Sequence, residues 1–300
     1  MSKPLYHVAS FSGGKDSTAM VLYMIERGDR LDEVMFCDTT MEFPAMLRHV
    51  ERVKKVVEEA GIKFTTLRAE HDFEWYLADK HVPNRKPDTK AYGLPGYGWP
   101  SIRVRWCTKH LKIELMDNHI EALRQDYELI RYIGIAADED YRLERENNKD
   151  PNHRHPLREW GWTEDDAMRY CLDKGYDWEG LYDLMRNEKT GRSRVSCWCC
   201  PLQSYGELRK LRWHFPDLWQ EMLRLDARQW NTYSHGYSVK DIDRRFALED
   251  AMTAAGHSIK NRAFFADLKR HLAGEISVED ILLERAGEAP EQLSLFDTKG

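Results

Sequence analysis

The sequence has no uninterrupted apolar run near the ~18 residues of a membrane span, so no spanning helix is expected. Its opening, Met1-Ser2-Lys3-Pro4-Leu5-Tyr6-His7, lacks the basic-then-apolar layout of a secretory signal. With 18 glycines and 11 prolines in 300 residues, a collagen-like repeat is excluded. Six cysteines are too few and too unevenly spaced for a disulfide framework in a chain this long. In a cytoplasmic protein, the expected setting, they are free, catalytic or metal-bound. Positive charge is not in excess either: the formal net charge is −6, which taken alone argues against a nucleic-acid partner. What is present is 42% hydrophobic and 32% charged residues, enough to bury a sizeable core in water. At about 150 residues per domain, the length predicts two domains, or one α/β domain with an appendage.

The first third alternates short apolar runs with helical patterns. Leu5 to Phe11 reads as a buried strand, followed at once by Ser12-Gly13-Gly14-Lys15-Asp16-Ser17. Thr18 to Glu26 is apolar nearly all round, as a buried helix is. Glu33 to Cys37 is a second strand, ending in Asp38-Thr39-Thr40. Leu47, Val50, Val53, Val57 and Ala60 then recur at helical spacing, with Gly61 as the stop. Lys63 to Leu67 and Glu128 to Ile135 complete four strands. Strands alternating with helices predict parallel pairing through crossovers, hence an α/β, doubly wound sheet. From about Pro156 the chain turns helical and Trp-rich, and the last ~25 residues read as a flexible acidic tail. The expected division is 1–155 for the nucleotide-binding α/β domain, 156–272 for a helical, cysteine-bearing region and 273–300 for the tail.

Residues 12–17 carry the strongest chemical signal. Two glycines at a strand-to-helix turn let successive backbone N–H groups converge on an anion. The helix N-terminus adds partial positive charge, Lys15 a full one, and Ser12 and Ser17 hydroxyl donors. The spacing is not that of the G-x-x-x-x-G-K-[ST] loop of common nucleotide triphosphatases.

Ser-Phe-Ser-Gly-Gly-Lys-Asp-Ser resembles the PP-loop of ATP pyrophosphatases, the adenine nucleotide α-hydrolase-like superfamily (the HUP/PP-loop fold). Three further segments resemble its sulfonucleotide-reductase-like branch, the phosphoadenosine phosphosulfate (PAPS) reductase-like family. They are Asp38 to Pro44, Arg105-Trp106-Cys107-Thr108-Lys109-His110-Leu111-Lys112-Ile113, and Gly134 to Arg142. The resemblance spans roughly residues 1–205. It implies that Ser12, Gly13, Gly14, Lys15, Asp16 and Ser17 bind phosphates and that Asp38 and Thr39 lie near the adenosine. It implies that Gly134 and Glu139 belong to the nucleotide site and that Arg142 is a second phosphate clamp. Ala136 departs from the pattern, which often has arginine there. The implied chemistry is ATP cleavage between the α and β phosphates with adenylation of an oxygen on a second substrate. Lys15, Asp16 and Arg142 are then the catalytic residues, and Mg²⁺ assists departure of pyrophosphate. Ser12 to Ser17, Asp38-Thr39 and Gly134 to Arg142 fall at C-terminal ends of predicted strands, where open α/β sheets bind ligands.

In Cys197-Trp198-Cys199-Cys200-Pro201, the pair Cys197 and Cys200 has the C-x-x-C spacing that grips one metal centre. Cys107 is the natural third ligand, and Cys199 a fourth only if the chain turns sharply. Thiolates select zinc or iron–sulfur clusters. A [4Fe–4S] cluster on three cysteines leaves one iron open for sulfide, whereas Zn²⁺ is structural. Cys37 and Cys171 read as core. The Cys-Trp-x-Cys run after a PP-loop domain resembles the sulfur-incorporating ATPase of DNA phosphorothioation systems, and PP-loop tRNA thiolases also pair ATP activation with a cysteine-held cluster. The absence of a cysteine after Cys200 disfavours a sulfonucleotide reductase with a C-terminal thiol nucleophile.

Gln292-Leu293-Ser294-Leu295-Phe296 resembles the pentapeptide that binds the bacterial DNA sliding clamp. The basic, aromatic segment Pro83 to Trp106 offers cations beside rings, as binders of looped or single-stranded nucleic acid do, or serves as a substrate lid. The expectation is therefore ATP-dependent adenylation coupled to sulfur transfer onto nucleic acid, DNA before tRNA, with a sulfur donor such as a cysteine desulfurase. The alternatives are a sulfonucleotide reductase-like enzyme on a small substrate, and a non-catalytic nucleotide- and metal-binding partner of the clamp.

Overall fold

A computed structural model describes residues 3–83, 85–144, 150–191, 193–234 and 236–286. The candidate clamp-binding pentapeptide 292–296 lies outside the described residues. The chain forms two compact units, 1–219 and 220–300.

The first unit is an α/β layer structure. Its strands are β1 (Leu5–Phe11), β2 (Glu33–Asp38), β3 (Lys63–Arg68), β4 (Glu128–Ile133) and the short β5 (His153–Arg154). They lie in the order β3-β2-β1-β4-β5, and every neighbouring pair is parallel. β1 is central: Ser10 is in register with Met35 of β2 on one side and Ile133 of β4 on the other. The order reverses at β1, because the chain runs outward through β2 and β3 and then crosses back to β4. The crevice between the ends of β1 and β4 is therefore the topological switch point where such sheets bind ligands. Both Ser12–Ser17 and Gly134–Arg142 leave the sheet there.

The helices follow from their buried stripes. In α1 (Lys15–Arg27) Ala19, Met20, Val21, Leu22 and Met24 are all buried, so this helix is covered on most of its circumference. In α2 (Pro44–Glu59) Met46, Val50, Val53 and Val57 form one buried face. Each such side chain contributes roughly 1.5–3 kcal/mol on burial. Pro44 opens α2 with its φ preset, and Gly61 follows its end at φ +76°. A short turn, Trp106–Thr108, and a wide π-helical turn, Lys109–Ile113, lead into α3 (Glu114–Arg124).

After β5 the chain stays with the sheet. α4 (Glu164–Asp173) has a capping box between Thr163 and Asp166, and Tyr23 of α1 packs against Trp160, Trp162 and Tyr170. Those aromatic contacts explain why the division falls at 219/220 rather than the expected 155/156. The Trp-rich stretch after Pro156 covers α1 and closes over the loop after β1. α5 (Tyr205–His214) follows, and the division falls within α6 (Pro216–Asp226).

The second unit contains α7 (Val239–Ala254), α8 (Arg262–Leu272) and α9 (Val278–Arg285). Its core is Leu248, Met252, Phe264, Leu268 and Ile281. α9 corrects the expected flexible tail from residue 273. Ser277 caps the helix, Ile281 is fully buried, and Arg285 pairs with buried Asp267 at 2.7 Å. The acidic composition hid one apolar anchor with a good cap.

Candidate nucleotide and thiol site

The loop after β1 is shaped by steric need at two glycines. Gly13 has φ +78°, and a Cβ there would sit 2.7 Å from Met46 Sδ. Gly134, after β4, would put a Cβ 3.0 Å from Ser17 N and 3.1 Å from the Asp16 carbonyl carbon. The two chain crossings at the switch point thus touch backbone to backbone. Gly14 is extended at the N-cap of α1, and no side chain caps that helix. Ser17 Oγ accepts from Ser12 N and donates to Gly14 O, each at 3.1 Å, which closes the loop on itself.

Side chains from distant parts of the chain fix this loop from below and beside. Trp178 Nε1 donates to Gly13 O at 2.7 Å. Thr18 Oγ1 pairs with His49 Nε2 at 2.9 Å, and His49 packs against Trp178. Burial, helped by Arg52, pushes the His49 pKa down to about 3, so its imidazole is neutral. The Lys15 backbone N–H donates to the Tyr182 hydroxyl at 2.9 Å. Tyr182 follows Trp178, Glu179 and Gly180, three successive residues with positive φ. Lys15 Nζ lies 2.8 Å from both Asp16 Oδ1 and Glu164 Oε2. Burial opposes the ammonium, but the two carboxylates outweigh it and its pKa is raised. Burial also raises Asp16, against the pull of Lys15.

The other predicted nucleotide residues divide. Asp38, at the end of β2, accepts from Thr40 N at 2.8 Å and lies 3.7 Å from Arg68. Thr39 donates through N and Oγ1 to the buried Glu42 carboxylate, at 3.1 and 2.6 Å. Glu139 is buried and pairs with Arg142 at 2.7 Å. Arg142 is therefore anchored on Glu139 in this structure. Ala136, where the family pattern often has arginine, is fully buried.

The cysteine segment reaches the same crevice by adding onto the β2 exit. Glu42 forms an antiparallel bridge with Cys197, and Trp198 N donates to Met41 O at 3.0 Å. Cys197 Sγ consequently lies 3.6 Å from Thr39 Oγ1 and 4.0 Å from Glu42 Oε1. A turn then brings Cys200 N to Cys197 O at 3.3 Å. Cys107, Cys197, Cys199 and Cys200 all line one cavity of about 390 Å³, together with Ser12 and Gly14 of the loop and Thr39. Burial raises all four thiols, Cys199 most strongly. Lys112 lines the cavity too, carried there by the wide turn after Cys107. Burial disfavours its charge, but Cys197, Glu42, Cys37 and Cys107 hold it protonated.

The donor set fits a thiolate centre by chemistry: several thiols, a nearby cation and apolar walls including Phe73, Pro100 and Val195. Among the described residues, no three His, Cys, Asp or Glu side chains are already drawn together as a ligand shell. Cys37 and Cys171 are not among the residues lining the cavity, although Cys37 Sγ donates to Lys112 O at 3.8 Å. Cys37 is half-buried and its thiol is pushed up to about 11 by burial. Cys171 is buried, donates to Lys15 O at 3.5 Å and is pushed up to about 12 by burial.

Several residues that serve the loop carried no signal in the sequence. Trp178, Tyr182, Glu164 and His49 belong to no motif. Lys112 stands in the family-like run Arg105 to Ile113, where nothing in the spacing assigns it a role. In the 83–106 segment, read as a nucleic-acid-binding loop or a substrate lid, part of the rings and cations serve the fold itself. Trp99 and Trp106 are buried, and Arg85 is turned inward onto the carbonyls of Ala91, Leu94 and Gly96. Tyr92 is its exposed ring. Among the described residues, no helix is long and apolar enough to cross a membrane.

A family model described as the phosphoadenosine phosphosulfate reductase domain matches residues 6–203. The chain is 27% identical over 227 residues to the uncharacterized protein MJ0066 of Methanocaldococcus jannaschii, covering 74% of this chain and 41% of that protein. It is 26% identical over 242 residues to the uncharacterized protein MJ0973 of the same organism, covering 79% and 50%. An uncharacterized nin region protein, ORF290, of Escherichia phage lambda is 30% identical over 155 residues, covering 46% and 51%. The chain thus spans about half the length, or less, of these relatives. The U34-tRNA thiolase NcsA from Methanococcus maripaludis, solved with its [4Fe-4S] cluster, aligns at 13% identity and a TM-score of 0.33. That alignment covers 72% of this chain and 68% of that one. A likeness that small carries no argument about the site.

Proposed function

This chain belongs to the phosphoadenosine phosphosulfate reductase domain family, and from that premise we propose an ATP pyrophosphatase that adenylates an acceptor and couples this to sulfur transfer. The acceptor in this reading is nucleic acid, DNA before tRNA. The observation that supports it is the single cavity joining the loop residues Ser12 and Gly14 to Cys107, Cys197, Cys199 and Cys200. A site for nucleotide activation and a site for sulfur are thereby within reach of one bound acceptor.

In the first step an acceptor oxygen attacks the α-phosphorus of ATP. The bond to the bridging oxygen breaks, and pyrophosphate leaves carrying its electron pair. The α1 N-terminus and Lys15 stabilise the developing charge, Lys15 exchanging its carboxylate partners for phosphate oxygens. Asp16 and Glu164 supply the hard oxygen donors that suit Mg²⁺. In the second step hydrosulfide, released from the persulfide of a donor such as a cysteine desulfurase by a two-electron thiol reductant, displaces AMP, which departs with the acceptor oxygen. Cys107, Cys197 and Cys200 would hold a thiolate-bound metal centre, with Cys199 as a further thiol. A [4Fe–4S] cluster on those three cysteines would supply an iron open to sulfide, and Zn²⁺ on the same thiols would supply a structural tie.

The test is release of pyrophosphate from ATP by the purified protein in the presence of oligonucleotide. Release that disappears in Lys15→Ala is the expected result. No release with DNA, tRNA or a small sulfonucleotide would overturn the enzymatic reading.

A further inference from the structure

The cavity that joins loop and thiols has an unusual charge for this chain. The protein carries a net charge of −6, yet the residues lining the cavity include Arg105, Lys112 and Arg194 and not one Asp or Glu. Arg105 comes from the end of the 83–106 segment, immediately before the helical turn that bears Cys107. Arg194 comes from the other wall, three residues before Cys197, beside the Arg186–Ser193 bridge. Both side chains are exposed, and neither has an acidic partner among the described residues. Both guanidinium groups act on the Cys200 sulfur, opposing the effect of its burial. Phosphates held by the loop after β1 would have their own cation and amides, in Lys15 and the α1 N-terminus. A second anion-binding pair at the thiol end is therefore surplus to nucleotide binding.

We propose that Arg105 and Arg194 form a clamp for acceptor phosphates at the thiol end of the cavity, so that the acceptor enters as a phosphodiester strand. The proposal rests on the adenylation and sulfur-transfer reading above and specifies how its acceptor is held. Guanidinium groups suit this role because their planar fork matches phosphate oxygens. Ser101, whose hydroxyl accepts from Val104 N, keeps its own proton to donate, while Pro100, Val195 and Leu202 give an apolar wall for a sugar or base. Local positive charge in a low-dielectric cleft focuses the field, so a net negative protein still draws a polyanion to this point.

The test is oligonucleotide binding as a function of salt. The probes are a fluorescein-labelled single-stranded 20-mer DNA, an RNA of the same sequence, and adenosine 3′,5′-bisphosphate as a mimic of a small sulfonucleotide. Each neutralised phosphate of a single strand contributes about 0.7 to the slope of log K against log salt. The double variant Arg105→Gln/Arg194→Gln should therefore lose about 1.4 from that slope and roughly tenfold or more in oligonucleotide affinity near physiological salt. The pair Arg105→Lys/Arg194→Lys, which keeps both charges, should retain the slope. The DNA and RNA arms tell which strand uses the clamp.

An unchanged slope in the Gln variant overturns the clamp. So does a loss confined to adenosine 3′,5′-bisphosphate, which would make the arginines a small-substrate site. Loss of ATP affinity in the same variant would return them to the nucleotide and overturn the assignment as well. Failure of the underlying reading looks different: wild-type protein would then release no pyrophosphate, whatever its salt slope.

Discussion

Replacing Tyr182 with phenylalanine should tighten pyrophosphate binding. The Tyr182 hydroxyl accepts the hydrogen bond of the Lys15 backbone N–H at 2.9 Å, and it lies 3.4 Å from where a Cβ on Gly14 would be. That N–H is the first donor of α1, in the position where a loop of this type presents amides to phosphate. A phosphate oxygen can take it only by displacing the phenol oxygen. The bond given up has a net strength of about 0.5–1.5 kcal/mol, which sets the handicap that the hydroxyl imposes on an incoming phosphate. Phenylalanine removes that handicap and keeps the ring, whose edge-on contact with Trp178 at 4.8 Å needs no hydroxyl. Tyr182→Phe should therefore bind pyrophosphate and ATP about 2- to 10-fold more tightly, by isothermal titration calorimetry. The free variant should unfold more easily by about the same free energy. Weaker binding in Tyr182→Phe would refute the reasoning, because it would mean that the phenol turns to donate to the bound phosphate.

Gly134→Ala should destabilise the fold and weaken ATP binding together, since its Cβ would press on the Ser17 and Asp16 backbone at 3.0–3.1 Å, where nothing can rotate away. A cost of about 1–3 kcal/mol is expected, and thermal unfolding equal to wild type would contradict it. His49 gives a pH dependence whose sign is fixed by its depressed pKa of about 3. The unfolded chain binds a proton near pH 6.5 and the folded one does not. Stability is thus intact above that pH and falls by about 1.4 kcal/mol per unit on acidification toward pH 3. In His49→Gln this slope should flatten between pH 6 and 4 in urea-unfolding titrations, and an unchanged slope would place the acid sensitivity elsewhere.

The order of strands and helices was legible because two periodicities dominate the first 135 residues. All four predicted strands are present, β1 with the expected bounds and the other three extended or trimmed by one or two residues, and the Gly-Gly turn sits where β1 hands over to α1. β5 was missed because two residues carry no alternation to read. The tail was misread at Val278–Arg285 because charge dominates its composition, while one buried Ile281 and the Ser277 cap decide its structure.

The site was legible to the extent that it is made of local motifs, and the parts that were not legible are all contacts across long sequence separations. Ser12–Ser17 and the Cys197–Cys200 pair announce themselves by spacing, and the loop and thiols do line one cavity. Nothing local says that Trp178 and Tyr182 must bond to Gly13 and Lys15, more than 160 residues away. Those bonds depend on a left-handed run, Trp178 to Gly180, that the residue types at 178 and 179 argue against. A strained turn of this kind persists only where its surroundings over-determine it. Here the surroundings are the loop itself: the Trp178 indole seats on Gly13, and the Tyr182 hydroxyl on Lys15. The strain and the loop geometry are therefore one coupled feature. A ligand that takes the Lys15 amide from Tyr182 would therefore act on both.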